Sequence, residues 1–214
     1  MSTVDFYDVR IIDGTIASIV LDNGKIEEMS TNYTQGCGVR ALCGGSWGFT
    51  SAEGDFDLQS TIASASELAK GMDAKASKER VSLAPASPPA ITDLPEVAID
   101  PVDIPIEDKV QLLKDLDQHA RVDGVKSTSA VYSESSVKLQ YMSSEGIECE
   151  YELTRIGFAV TAIATENGVY QAGRESRFGV CGYELFDKHD AFELAESAGN
   201  TAVELLDASS PKGG

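Results

Sequence analysis

Between Asp8 and Ala52 apolar residues recur in short runs broken by turn signals: DVRII, then Asp13-Gly14, IASIVL, then Asp22-Asn23-Gly24, then KIEEMS. An Asn-Gly pair between alternating runs supplies the positive φ angles of a two-residue hairpin turn, so this stretch predicts a meander of antiparallel strands. GVRALC and SWGFTSA, flanking Gly44-Gly45, predict two further strands. The period then changes. Leu58, Ile62, Ala65, Ala69 and Met72 recur at helical spacing behind Asp55 or Asp57 as N-cap, with Gly71 near the stop. The continuation DAKASKERVS loses the apolar stripe, and fraying is expected there.

Leu83 to Pro105 holds six of the seven prolines, which remove backbone donors and favour extended, solvent-facing chain. Pro105 suits a helix start, with Glu107 and Asp108 in the first turn and Val110, Leu113, Leu116 and Ala120 on one face, ending at Gly124. A second meander follows in SAVYSESSVKLQYMSS, GIECEYELTRIGFAVTAIATE and GVYQAGRESRFG, turned at Glu145-Gly146 and Asn167-Gly168. A last helix is expected from Asp187, carrying Ala191, Leu194, Ala195, Ala198, Ala202 and Leu205 on one face.

The pattern therefore predicts an α+β chain of two antiparallel β-meander-plus-helix units joined by a Pro-rich linker and a helix. The linear division is 1–82 for the first meander and helix, 83–105 for the linker or surface loop, and 106–207 for the helix, second meander and C-terminal helix. The halves match in outline, Asn23-Gly24 with Glu145-Gly146, GCGVRAL with RIGFAVTAI and SWGFTSA with GVYQAG. A diverged internal repeat explains this match, and so does shared β-meander grammar.

Charge alters the functional picture more than composition does. Thirty-five acidic against 17 basic residues give a net charge of −18, which repels phosphate backbones and anionic headgroups, so neither nucleic acid nor membrane is expected as a partner. The longest apolar stretches fall well short of the roughly 20 residues of a bilayer span. Cys37, Cys43, Cys149 and Cys181 contain no C-x-x-C pair, and the start MSTVDFYDVR lacks a basic and apolar leader, which points to free thiols in a cytoplasmic protein.

Candidate chemistry is sparse. His119 and His189, the latter expected in the first turn of the last helix, have no ligand-spaced partner, and surface or structural roles suffice for both. Gly45-Ser46-Trp47-Gly48 lacks the G-x-S-x-G elbow, and the glycines of GCGVRALCGGSWGFTSA lead into a strand rather than a helix N-terminus, so a phosphate loop does not fit. Glu148 and Glu150 share a strand face, which a solvated sheet explains. Catalytic and metal residues are thus expected to number none. In GVRALC alternation puts Arg40 and Leu42 on one face, where a guanidinium under partial cover needs a carboxylate; Trp47 and Phe49 project together around Gly48. Arg40, Trp47 and Phe49 are the candidate substrate or interface contacts, and a structural ion pair is the other reading of Arg40.

Several of these stretches together resemble the N-terminal part of the TldD/PmbA family, zinc-dependent peptidases once described as modulators of DNA gyrase. The likeness rests on Asp8-Val9-Arg10, Asn23-Gly24-Lys25, the run Gly36 to Arg40, Trp47-Gly48-Phe49 with Thr50-Ser51-Ala52, GIECEYELTRIGFAVTAIATENGVYQAGRESRF and AVELLDASSPKGG. The resemblance implies a homo- or hetero-dimeric enzyme that encloses its active site and takes extended, unfolded peptides by strand addition. In the TldD branch of the family, an H-E-x-x-x-H helix and a later cysteine beyond the Pro-x-Gly stretch bind the metal. Here Pro211-Lys212-Gly213 is followed by one residue, so zinc is expected only in a C-terminal domain outside this chain, with 208–214 as the start of a linker to it. The resemblance thus implies a non-catalytic N-terminal domain for dimerisation and enclosure. The alternatives are a free-standing interaction module for a separately encoded catalytic subunit, or an unrelated small α+β enzyme.

Overall fold

The computed structural model describes residues 4–73, 83–85, 94–209 and 213–214. Six strands, β1 (Phe6–Asp22), β2 (Lys25–Cys43), β3 (Ser46–Glu53), β4 (Val125–Ser143), β5 (Glu148–Glu166) and β6 (Val169–Gly179), form one antiparallel sheet ordered β3-β2-β1-β4-β5-β6. The helices are α1 (Leu58–Asp73), α2 (Ile106–His119), the short α3 (Leu185–Lys188) and α4 (Ala191–Glu204). This is the expected α+β class. Asn23 and Gly24 adopt φ 51° and 75°, and Asn167 and Gly168 adopt 50° and 82°, the paired positive values that Asn-Gly hairpin turns require.

Asp13-Gly14, expected as a turn, lies inside the unbroken β1. A Cβ at Gly14 would collide with the Ser136 carbonyl, so the glycine serves close backbone approach within the sheet rather than chain reversal. By contacts the chain groups into two compact units. One compact unit comprises Met1–Thr15, Tyr33–Leu94 and Ser136–Leu153, and the other Ile16–Asn32, Pro95–Ser135 and Thr154–Gly214. Strands of 17 to 19 residues are long enough to serve both units.

In the first unit α1 buries Ala65 and Ala69 against Val9, Cys37, Val39 and Ala41. Asp57, not Asp55, caps it, accepting from the Gln59 amide at 3.0 Å. Met72, expected on the buried face, is 57% exposed, and Gly71 lies within the helix. The fraying expected over 74–82 lies outside the described residues.

In the second unit Ile19, Leu21, Leu113, Leu116, Tyr132, Ile156, Phe158 and Val160 pack with Ala195 and Ala202 of α4. That helix opens later than expected: Asp190 accepts from the Phe192 and Glu193 amides at 3.1 and 2.9 Å, while Asp187 belongs to α3. The Pro-rich segment is not solvent-facing throughout. Residues 83–85 and 94–98 are exposed, but Pro101 is buried, and Ile99 bonds to the Tyr183 amide and the Glu184 carboxylate at 2.8 and 3.0 Å.

Candidate functional site

The most developed polar cluster lies on the first unit's sheet, on the face turned away from α1. Strand alternation puts Val9, Val39 and Ala41 toward the helix, which leaves Phe6, Asp8, Arg10, Arg40 and Leu42 for the opposite face. Register pairs Arg40 with Phe49 and Leu42 with Trp47, so both aromatics join that face, as expected. Gly48 between them points the other way, where a Cβ would collide with the Ala65 carbonyl of α1.

Asp8 is wholly buried at the centre. Arg40 approaches it side-on, with Nε at 3.0 and 2.8 Å from the two carboxylate oxygens and Nη2 at 2.7 Å from Oδ2. Arg10 donates from Nη1 to Oδ1 at 3.1 Å, and the Tyr141 hydroxyl lies 3.4 Å from Oδ2. Each guanidinium also rests on an aromatic ring: Arg40 over Trp47 at 5.1 Å and Arg10 over Tyr141 at 5.2 Å. Trp47 is in turn held edge-on by Phe6 and flanked by Phe49, with both ring pairs at 6.2 Å.

The electrostatics follow from this packing. Hydrogen bonding to Asp8 holds Arg40 above its already high ordinary value. Burial first, and the Asp8 charge second, push the Tyr141 phenol up, so it stays a neutral donor. One carboxylate faces two guanidiniums, leaving a local charge of +1 in a chain of −18. Arg40 has the carboxylate partner its strand position demands. Asp8, Arg10 and Tyr141 escaped the sequence reading; the available signal was the i, i+2 spacing of Asp8 and Arg10, which places both on one strand face.

The second unit's polar networks are structural. Asp117 of α2 accepts from the Gly24 amide at 3.1 Å and from Arg121 Nε at 2.8 Å, and it takes the Thr128 hydroxyl, tying the β1–β2 turn to the helix. Buried Lys109 bonds both oxygens of Glu134 at 2.8 and 2.7 Å, and Glu134 also accepts from Tyr132.

Zinc-ligating side chains are not gathered: among the described residues no three of His, Cys, Asp or Glu are placed to hold a metal. His119 is exposed and stacks on Phe192 at 4.8 Å. His189 is an exposed residue between α3 and α4, not in a helical first turn, because α4 starts later than expected. Cys37 is buried, and Cys43, Cys149 and Cys181 are half-buried free thiols. Glu150 is occupied by Lys138 at 2.6 Å and Gln140 at 2.6 Å. These residues do not fit a zinc ion. No helix among the described residues is long and apolar enough to cross a membrane.

Comparison with known proteins accounts for most of the chain. Residues 7–69 match the model described as PmbA/TldA metallopeptidase domain 1, and residues 99–206 match the PmbA/TldA metallopeptidase central domain. A metalloprotease of Methanocaldococcus jannaschii is 34% identical over 98% of this chain and 46% of its own length. One of Methanothermobacter thermautotrophicus is 28% identical over 99% of this chain and 45% of its own. In fold, the chain resembles a Thermotoga maritima protein described as a modulator of a DNA gyrase, with TM-score 0.78 and 12% identity, covering 98% of this chain and 46% of that one. TldE from Thermococcus kodakarensis gives TM-score 0.70 and 13% identity over 94% and 44%. The chain spans less than half the length of each of these relatives. Two successive domain models, in family order and covering α2, α3, α4, most of α1 and nearly all of the strands described above, establish that the chain belongs to the PmbA/TldD metallopeptidase family.

Proposed function

We propose that this chain is the non-catalytic portion of a PmbA/TldD-type zinc peptidase acting on unfolded peptides, and that it contributes dimerisation and enclosure of the active site. The observation that carries the reading is the pairing of domain 1 and central-domain matches with metalloprotease relatives more than twice as long. The metal would be held by residues outside the chain, since its own described side chains offer no suitable donor set. The partner would be a second PmbA/TldD-like chain, identical or different, in a cytoplasmic enzyme.

Peptide engagement has two physical supports. Among the described residues the sheet order leaves β3 and β6 each paired on one side only, and an edge strand binds backbone with little dependence on side chains. Next to the β3 edge stand Arg40, Trp47 and Phe49, our proposed substrate or interface contacts, with Phe49 64% exposed. A diverged repeat is favoured by matching glycines. Gly48, opposite Ala41, meets the Ala65 carbonyl and Ala69 amide of α1, and Gly173, opposite Ala162, meets the Ala198 carbonyl and Ala202 amide of α4.

The test compares this chain with a version extended by its natural downstream sequence, using an unfolded reporter peptide. Chelator-sensitive hydrolysis by the extended dimer and none by the 214-residue chain is the expected result. Chelator-insensitive hydrolysis by the shorter chain, or a monomeric extended protein, overturns the reading.

A further inference from the structure

We infer that the Asp8 cluster is a receptor for a carboxylate presented by an extended peptide. The inference rests on the peptide-binding reading above and names the chemistry recognised. Neutralising Asp8 requires one guanidinium, and Arg40 supplies that with three contacts of 2.7 to 3.0 Å. Arg10 adds a second cation to the same carboxylate, although like charges held this close repel. An arrangement of two guanidiniums on one carboxylate is balanced when a second carboxylate arrives.

The donors for it are present and held in place. Arg40 and Arg10 keep side-chain exposures of 39% and 55%, and each guanidinium has N–H groups that Asp8 does not engage. Cation–π contacts with Tyr141 and Trp47 help hold Arg10 and Arg40 in place, which reduces the ordering entropy of binding. Arginine is the side chain suited to such a role, because its planar fork matches a carboxylate in paired hydrogen bonds. Exposed Phe49, opposite Arg40 in register, offers apolar surface for the residue next to the bound carboxylate. In a protein of net charge −18 this cationic spot distinguishes the carboxylate from the rest of a peptide, which the acidic surroundings select to be basic or neutral. The carboxylate has two sources, a chain terminus or an acidic side chain, with the same chemistry.

Trp47 is the chain's only tryptophan and lies under Arg40, so its fluorescence reports the site directly. The probes are three otherwise identical extended peptides: a free C-terminus, a C-terminal amide, and an amide with one internal Glu. We expect a saturable Trp47 emission change with a carboxylate-bearing peptide, and affinity at least about tenfold weaker for the uncharged amide, from loss of a charge-assisted bond. The internal-Glu arm assigns the source. Arg10→Gln, which leaves the Arg40–Asp8 pair in place, should weaken carboxylate binding about tenfold while far-UV dichroism is unchanged, and should leave amide binding unaffected. Equal binding of all three peptides overturns the carboxylate assignment but leaves peptide engagement standing. The assignment is also overturned by wild-type affinity in folded Arg10→Gln. No response to any peptide sinks both, and an emission change driven by protein concentration alone assigns the face to a second copy instead.

Discussion

Asp8 has no exposed surface, whereas both arginines that hold it reach solvent, and that asymmetry sets what each substitution does. Arg40→Met removes the side-on contacts and leaves a buried carboxylate with Arg10 and Tyr141. We expect a loss of about 2–3 kcal/mol, below the 3–5 of a fully buried pair because Arg40 is itself partly screened by water. Urea unfolding should show a lower midpoint at unchanged slope. The two Asn-Gly turns give a second residue-scale contrast. The Asn23 side chain is held by the Thr128 amide at 3.2 Å, and the Gly24 amide is engaged by Asp117 at 3.1 Å. Asn167 is exposed, without such bonds among the described residues. Deamidation requires the glycine nitrogen to attack the side-chain amide and expel ammonia, so on prolonged incubation at pH 8 peptide mass mapping should find it at Asn167 well before Asn23. Arg40's need for a carboxylate was legible from strand parity alone. Which of 35 acidic residues would answer was not, because pairing across strands depends on register set by the whole sheet.

Glycine carries opposite meanings in different elements here. At Asn23-Gly24 and Asn167-Gly168 it turns the chain, as the sequence pattern predicts. At Gly14 it permits close strand approach, and reading it as a turn broke β1 in two; the distinction lies in the neighbouring strand, which local pattern does not contain. The same argument explains the displaced start of α4. Asp187 and Asp190 are both competent caps, and only the separate turn of α3 decides between them. Gly48 and Gly173 let α1 and α4 settle onto their strands, so Gly48→Ala and Gly173→Ala each force a helix backbone outward. Overpacking of this kind destabilises by about 1–3 kcal/mol. Gly38→Ala is the control, since a Cβ there meets nothing within 4 Å. Thermal melts should separate the first two from the third, and equal shifts for all three would refute the close-packing argument.

At the scale of the whole molecule, acidity acts in two opposing ways as pH falls. Protonation reduces the self-repulsion of a chain carrying −18, which favours the folded state as the pI near 4.3 is approached. Against this stands Glu184 in the second unit, buried where the end of the Pro-rich segment meets the turn before α3. Burial pushes its carboxyl up, but the backbone amides of Gly182, Glu184, Ile99 and Ala98 together pull it below the ordinary 4.5. A carboxyl lowered by folding binds protons more weakly in the native state than in the unfolded chain. Its stabilisation is therefore complete above about pH 4.5 and is lost as pH falls through the lower folded value. Glu184→Gln lacks that charge and should be less stable than wild type at pH 7, yet lose less stability between pH 5 and 3. Urea midpoints for the two proteins should converge over that interval. Parallel pH profiles would show that the clasp between Ile99 and Gly182 contributes no proton-linked stability.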